Sequence, residues 1–207
     1  MRVAVYGAGG HGHDIAATLP DFAGFVDDDP ERCELEPLGA YELLLGMNDP
    51  QVRYRKWRMT LNFPWHNDGV WVHPSANLGP SVKLGQHTHV NAGAFLTRCT
   101  VGEFCTIAPN ATVLGDVTLG DRVMVGANAT IRNLVTVCSD VVIGAGAVVT
   151  KDITEPGTYV GCPAKVVDPL EDFHAGVRLV EAMWKSGDLP DYLRRIESAV
   201  SNRGRES

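Results

Sequence analysis

Val72–Thr154 reads VHPSAN LGPSVK LGQHTH VNAGAF LTRCT VGEFCT IAPNAT VLGDVT LGDRVM VGANAT IRNLVT VCSDVV IGAGAV VTKDIT. Almost every group opens on Val, Leu or Ile and is six residues long. A residue returning every six positions can keep pointing inward only if the chain turns a corner each time. Three such sides close a triangular coil of roughly eighteen residues, and successive coils stack about 4.8 Å apart, as strands do in a sheet. The aliphatic residues then form ladders that fill a prism. Gly, Ala, Asn and Asp gather where corners need small residues or left-handed backbone. One hexad alone means little, but an unbroken run of this length specifies a solenoid. A single group, Leu96 to Thr100, is one residue short.

This repeat resembles the left-handed parallel β-helix of the hexapeptide-repeat acyltransferases. The resemblance supplies the handedness, and it implies a homotrimer with active sites between neighbouring prisms.

Composition bounds the rest. The chain has 207 residues, 44% of them hydrophobic, and a net charge of −7. That balance argues against broad binding to nucleic acid or to an anionic membrane, which reward basic surfaces. Five scattered cysteines without a CxxC pair read as reduced thiols of a cytoplasmic protein. No apolar run is long enough to span a bilayer.

Ahead of the repeat, RVAVY (Arg2 to Tyr6) reads as a strand running into Gly7-Ala8-Gly9-Gly10-His11-Gly12 and a helical stretch from His13 to Leu19. Phe22 to Val26 reads as a second strand ending in Asp27-Asp28. A third covers Glu42 to Met47, and Gln51 to Leu61 follows as a helix. Glycines after a first strand let backbone approach an anion, and a helix N-terminus offers unpaired N–H groups to it. Acidic residues closing strand two can accept a ribose or base hydrogen bond. The unit is too short for a full dinucleotide fold. The expected organisation is an α/β nucleotide-sugar-binding unit over 1–66, the β-helix over 67–167 and a helical C-terminal extension over 168–207. In that extension Phe173, Val177, Val180 and Trp184 form one apolar stripe, and Leu189, Leu193, Ile196 and Val200 a second.

Taken together, VYGAGGHGHD, GFVDDDP, LLLGMND, VHPSA, IAPNATVLGDVTLGD, IGAGAVVTKD and VGCPAKVV resemble, in order, the nucleotide-sugar acyltransferases of the PglD and NeuD type. The resemblance covers about residues 1–168. It implies an acetyl-CoA-dependent N-acyltransferase acting on the amine of a nucleotide-linked amino sugar. It places Gly7, Gly9, Gly10, His11, Asp27, Asp28, Gly46 and Asn48 around the nucleotide sugar. It places Gly126, Ala127, Gly144 and Ala145 along the pantetheine arm, with Lys151, Pro163 and Lys165 toward the CoA phosphates. Cys162 stands where the family motif carries Asn.

The family's general base is a histidine in the hexad equivalent to Leu96–Thr100. Here Arg98 occupies that position, and a second family histidine corresponds to Thr106. Arginine holds its proton too tightly to act as a base. Three readings stay open: His89 or His87 supplies the base, the amine arrives neutral, or the chain binds a nucleotide sugar without catalysis. O-acyl transfer to a sugar is the close alternative. The His87-Thr88-His89 and His11-Gly12-His13 pairs are not spaced as a three-histidine metal set, so no metal is expected.

Overall fold

The computed structural model describes residues 2–26, 41–59 and 65–167. By its contacts the chain divides into Met1–Val166 and Val167–Ser207. Asp27, Asp28 and the two apolar stripes of the C-terminal extension lie outside the described residues.

Strand β1 (Arg2–Tyr6) sits at the centre of a three-stranded parallel sheet, between β2 (Phe22–Val26) and β3 (Tyr41–Leu45). Val3, Val5 and Leu44 on one face pack with Ile15 and Phe25, while Ala4, Val26 and Leu43 pack on the other. Two faces covered at once explain why these strands read as continuous apolar runs rather than alternating ones. Helix α1 (Gly10–Ala16) starts three residues earlier than the apolar pattern indicated. Glycine is a poor helix former, yet a Cβ on Gly12 would strike the Gly7 carbonyl, and one on Gly46 would meet Gly12 Cα at 2.8 Å. Close backbone packing therefore outweighs propensity here. Helix α2 (Pro50–Met59) is opened by Asp49, whose carboxylate accepts the N–H groups of Gln51 and Val52 at 2.8 and 2.9 Å.

From Trp71 the chain winds into three parallel sheets, whose strands are mostly two residues long. Each hexad gives one strand, so each side of a coil contributes one rung. Val90, Ile107, Val125 and Ile143 stack on one face. Leu96, Val113, Ile131 and Val149 stack on the second, and Val101, Leu119 and Val137 on the third, all at most 2% exposed. Each such burial contributes about 1.5–3 kcal/mol. These parallel sheets fit the left-handed β-helix expected from the repeat.

The six-residue beat is visible in the backbone as well. Left-handed φ values recur at Ser81, His87, Gly93, Arg98, Phe104, Asn110, Asp116, Arg122, Asn128, Leu134, Asp140 and Gly146. Every step is six except the five from Gly93 to Arg98. The short beat is thus absorbed in one corner. Pairs straddling it, such as Thr106 with His89, are 17 residues apart, whereas Thr106 with Met124 is 18.

Candidate active site and its docked nucleotide unit

Helix α2 lies along one edge of the prism, against the column His87, Phe104, Arg122 and Asp140. Trp57 packs on His87 and Phe104, at 5.7 and 5.3 Å between ring centroids. Gln51 donates to Asp140 at 2.6 Å, and Arg122 forms a two-pronged ion pair with the same carboxylate at 2.7 and 2.8 Å.

Arg53 enters the contact and is fully buried. Its guanidinium donates to the carbonyls of Met47 (2.6 Å), Phe104 (3.0 Å) and Cys105 (2.6 Å), and to Thr106 Oγ1 (3.0 Å). Thr106 passes its own proton to the Asn48 carbonyl at 2.6 Å. The position that corresponds to the family's second histidine therefore ties the two halves together. Burial pulls Arg53 down to about 9, which still leaves it a cation at neutral pH.

His89 sits in this buried layer at 0% exposure, and His87 at 2%. His89 Nδ1 faces Arg53 Nη1 at 3.4 Å and His11 Nε2 at 3.1 Å. Arginine can only donate, so Nδ1 is the acceptor, His11 carries its proton on Nε2, and the neutral His89 ring carries its own on Nε2. That Nε2 is buried without a partner, as is His87 Nδ1. His87 stacks on Phe104 at 4.7 Å and meets Trp65 edge-on at 4.9 Å. Burial, then the Arg53 charge, holds His11 and His87 down to about 4, and His89 well below the usual imidazole value.

Arg98 lies on a different edge of the prism. It is more than half exposed and pairs with Asp116 at 3.4 Å. In the glycine-rich turn, Gly9 and Gly10 have open space where a side chain would stand, while Gly7 takes a left-handed φ of 102°. Gly46 is buried, and the Asn48 carboxamide oxygen is buried without a partner. Gly126, Ala127, Gly144 and Ala145 share one prism corner in consecutive coils. A Cβ on Gly126 would meet the backbone of Gly144 and Ala145 at 2.6–2.7 Å, so coil stacking already requires that glycine. Lys151, Pro163 and Lys165 are exposed.

The sequence reading passed over two features. Arg53 is one of several basic residues on α2, and its sequence carries no mark of burial. A cavity of about 400 Å³ opens between α1 and the same prism corner lower down, lined by Asp14, Thr18, Trp71, His73, Asn91 and Pro109. His73 and Asp14 fall inside the quoted motifs, but only the fold brings them together.

Residues 98–133 match the bacterial transferase hexapeptide family (six repeats), and residues 116–151 match the hexapeptide repeat of succinyl-transferase. Perosamine N-acetyltransferase from Caulobacter crescentus, in complex with CoA and GDP-perosamine, superposes with a TM-score of 0.69 at 25% identity, covering 81% of this chain and 98% of that one. The acetyltransferase domain of PglB from Neisseria gonorrhoeae, in complex with acetyl coenzyme A, gives 0.65 at 26% identity over 80% and 98%. The chain is a hexapeptide-repeat acyltransferase. No curated protein sequence matches this acyltransferase significantly. The structural likeness extends over both the parallel-sheet unit and the prism, since four-fifths of the acyltransferase is covered.

Proposed function

We propose that the chain transfers the acyl group of an acyl-CoA, acetyl-CoA foremost, to the amine of a nucleotide-linked amino sugar. What carries this reading is the extent of the likeness to the perosamine enzyme, which takes in the N-terminal unit together with the prism. The bare backbone at Gly9 and Gly10 supports a phosphate-binding role, because nothing in the packing requires glycine there. His11, Gly7, Gly46, Asn48, Asp27 and Asp28 complete that nucleotide site in this reading. The pantetheine arm would run along the corner of Gly126, Ala127, Gly144 and Ala145. The N–H groups of Ala127 and Ala145 have no backbone partner among the described residues and are free for its amides. Lys151 and Lys165, beside Pro163, would meet the phosphates as point charges. The assembly proposed is a cytoplasmic homotrimer.

In the reaction the amine lone pair attacks the thioester carbonyl, a C–N bond forms, the C–S bond breaks, and the proton lost by nitrogen ends on the CoA thiol. Burial of His87 and His89 favours the reading in which the amine arrives neutral, since neither ring is open to a substrate. It also favours an amine over a hydroxyl, which depends more heavily on a base. The test is thiol release from acetyl-CoA with a panel of UDP-, dTDP- and GDP-linked amino sugars. Turnover with at least one acceptor is expected, rising with pH as the acceptor's own ammonium deprotonates. Tight nucleotide-sugar binding without thiol release would instead make the protein a non-catalytic binder.

A further inference from the structure

The cavity between α1 and the first coils has a wall chemistry of its own. His73 lies at a prism corner, half-buried, with its ring edge-on to Trp71 at 5.9 Å. The Ser75 backbone N–H points at His73 Nδ1 from 3.0 Å. A backbone N–H can only donate, so Nδ1 is the bare nitrogen of the ring. Ser75 Oγ approaches the same atom at 2.8 Å while accepting the Gly93 N–H at 3.1 Å, which leaves its hydroxyl proton for Nδ1. Two donors thus fix one tautomer, and the neutral ring presents Nε2–H as a donor.

Asp14 of α1 lines the same cavity. Its carboxylate has no hydrogen-bond or ion-pair partner among the described residues. Trp71 supplies an apolar wall, and its indole N–H is already committed to Thr18 Oγ1 at 3.0 Å. No Lys or Arg lines the cavity. A phosphate would meet an unpaired carboxylate and no cation, so the anionic part of a ligand belongs elsewhere. The walls instead match a sugar ring, with polar edges that both donate and accept and an apolar C–H face. The volume lies within the range of about 300–1,000 Å³ typical of small-molecule sites.

We infer that this cavity holds the amino-sugar ring of the acceptor, with the Asp14 carboxylate accepting from its amine or hydroxyls and His73 Nε2–H donating to a ring substituent. The inference rests on the acyl-transfer reading above and assigns two specificity-determining residues to it. The pairing of a fixed donor with a free carboxylate selects a substrate bearing a donor group opposite an acceptor. It discriminates against a nucleotide whose sugar carries a carboxylate on that side, because such a group would face Asp14.

The test is calorimetric titration of the full chain with UDP-, dTDP- and GDP-linked amino hexoses, and with the matching nucleoside diphosphates. Asp14→Asn and His73→Leu are each expected to weaken the preferred sugar-linked ligand about tenfold. Affinity for the nucleoside diphosphate should stay within about twofold, because its contacts lie elsewhere. His73→Gln keeps a donor and should lose less than His73→Leu. Imidazole nitrogen NMR should show His73 in the Nε2–H form, and Ser75→Ala should release that preference. Asp14→Asn is an exposed, nearly isosteric change, so folding does not confound it. Sugar-linked affinity unchanged in both variants, or equal losses for sugar-linked and sugar-free ligands, overturns this assignment alone. A wild-type chain that binds none of the nucleotides overturns the underlying acyl-transfer reading with it.

Discussion

A single arginine fastens α2 to the prism. Arg53 has no carboxylate beside it; its charge is spread over backbone carbonyls and one hydroxyl. Such an arrangement depends on the fork shape of guanidinium, which satisfies several acceptors from one rigid plane. Arg53→Met keeps much of the side-chain volume but strips donors from buried acceptors. It should lower stability by about 2–4 kcal/mol, read as a drop in the denaturant midpoint. Arg53→Lys should fall between, since an ammonium cannot reach all four acceptors. A midpoint unchanged in Arg53→Met would show that the aromatic contacts of Trp57 and Trp65 suffice. None of this could be read from the chain, because PQVRYRKWRM offers three arginines and a lysine without a burial signature. The substitution of Arg98 for the family's base was legible at once, because it broke both the length and the chemistry of a repeat.

Among the elements, the coils were the most readable and α1 the least. A period of six with aliphatic residues at one phase leaves few alternative folds, and the ladders follow the hexad phase. The strands Arg2–Tyr6 and Phe22–Val26 also fall where the apolar runs place them. The start of α1 was hidden because its glycines answer to a backbone contact from another segment, which no local pattern encodes. The corners also show where the sequence carries a local cost. Leu134 holds a φ of 66° and is 70% exposed, so it gains little from burial to offset an unfavourable backbone. Asn tolerates that conformation better. Leu134→Asn should therefore raise stability by about 1 kcal/mol, seen as an upward shift in the denaturant midpoint. A downward shift would mean that the exposed leucine has packing not visible in one chain.

At the scale of the whole molecule, the buried layer makes docking sensitive to acid. His11, His87 and His89 all titrate below the ordinary imidazole value of 6.5 in the folded chain, mainly through burial and then through the Arg53 charge. The unfolded chain therefore takes up protons first as the pH drops. The stability these neutral rings contribute is fully present above about 6.5 and is lost as the pH falls from there toward about 4. Denaturant midpoints measured between pH 7 and 5, before most carboxylates titrate, should fall steadily. The slope should be shallower in Arg53→Met, which removes one cause of the shift. A flat profile would contradict the buried placement of these rings.

The five-residue corner at Gly93–Arg98 bears on how this chain can change in length. Strand partners are 18 residues apart above it, as Thr112 and Thr130 are, and 17 across it, as Lys83 and Thr100 are. Above Arg98, cutting out any 18-residue circuit joins equivalent backbone positions, and the ladders close over the splice. A cut that spans the corner must remove 17 instead, or every side chain beyond it rotates out of phase. The prism is thus modular along most of its length, with one indexing fault that fixes where whole circuits can be gained or lost.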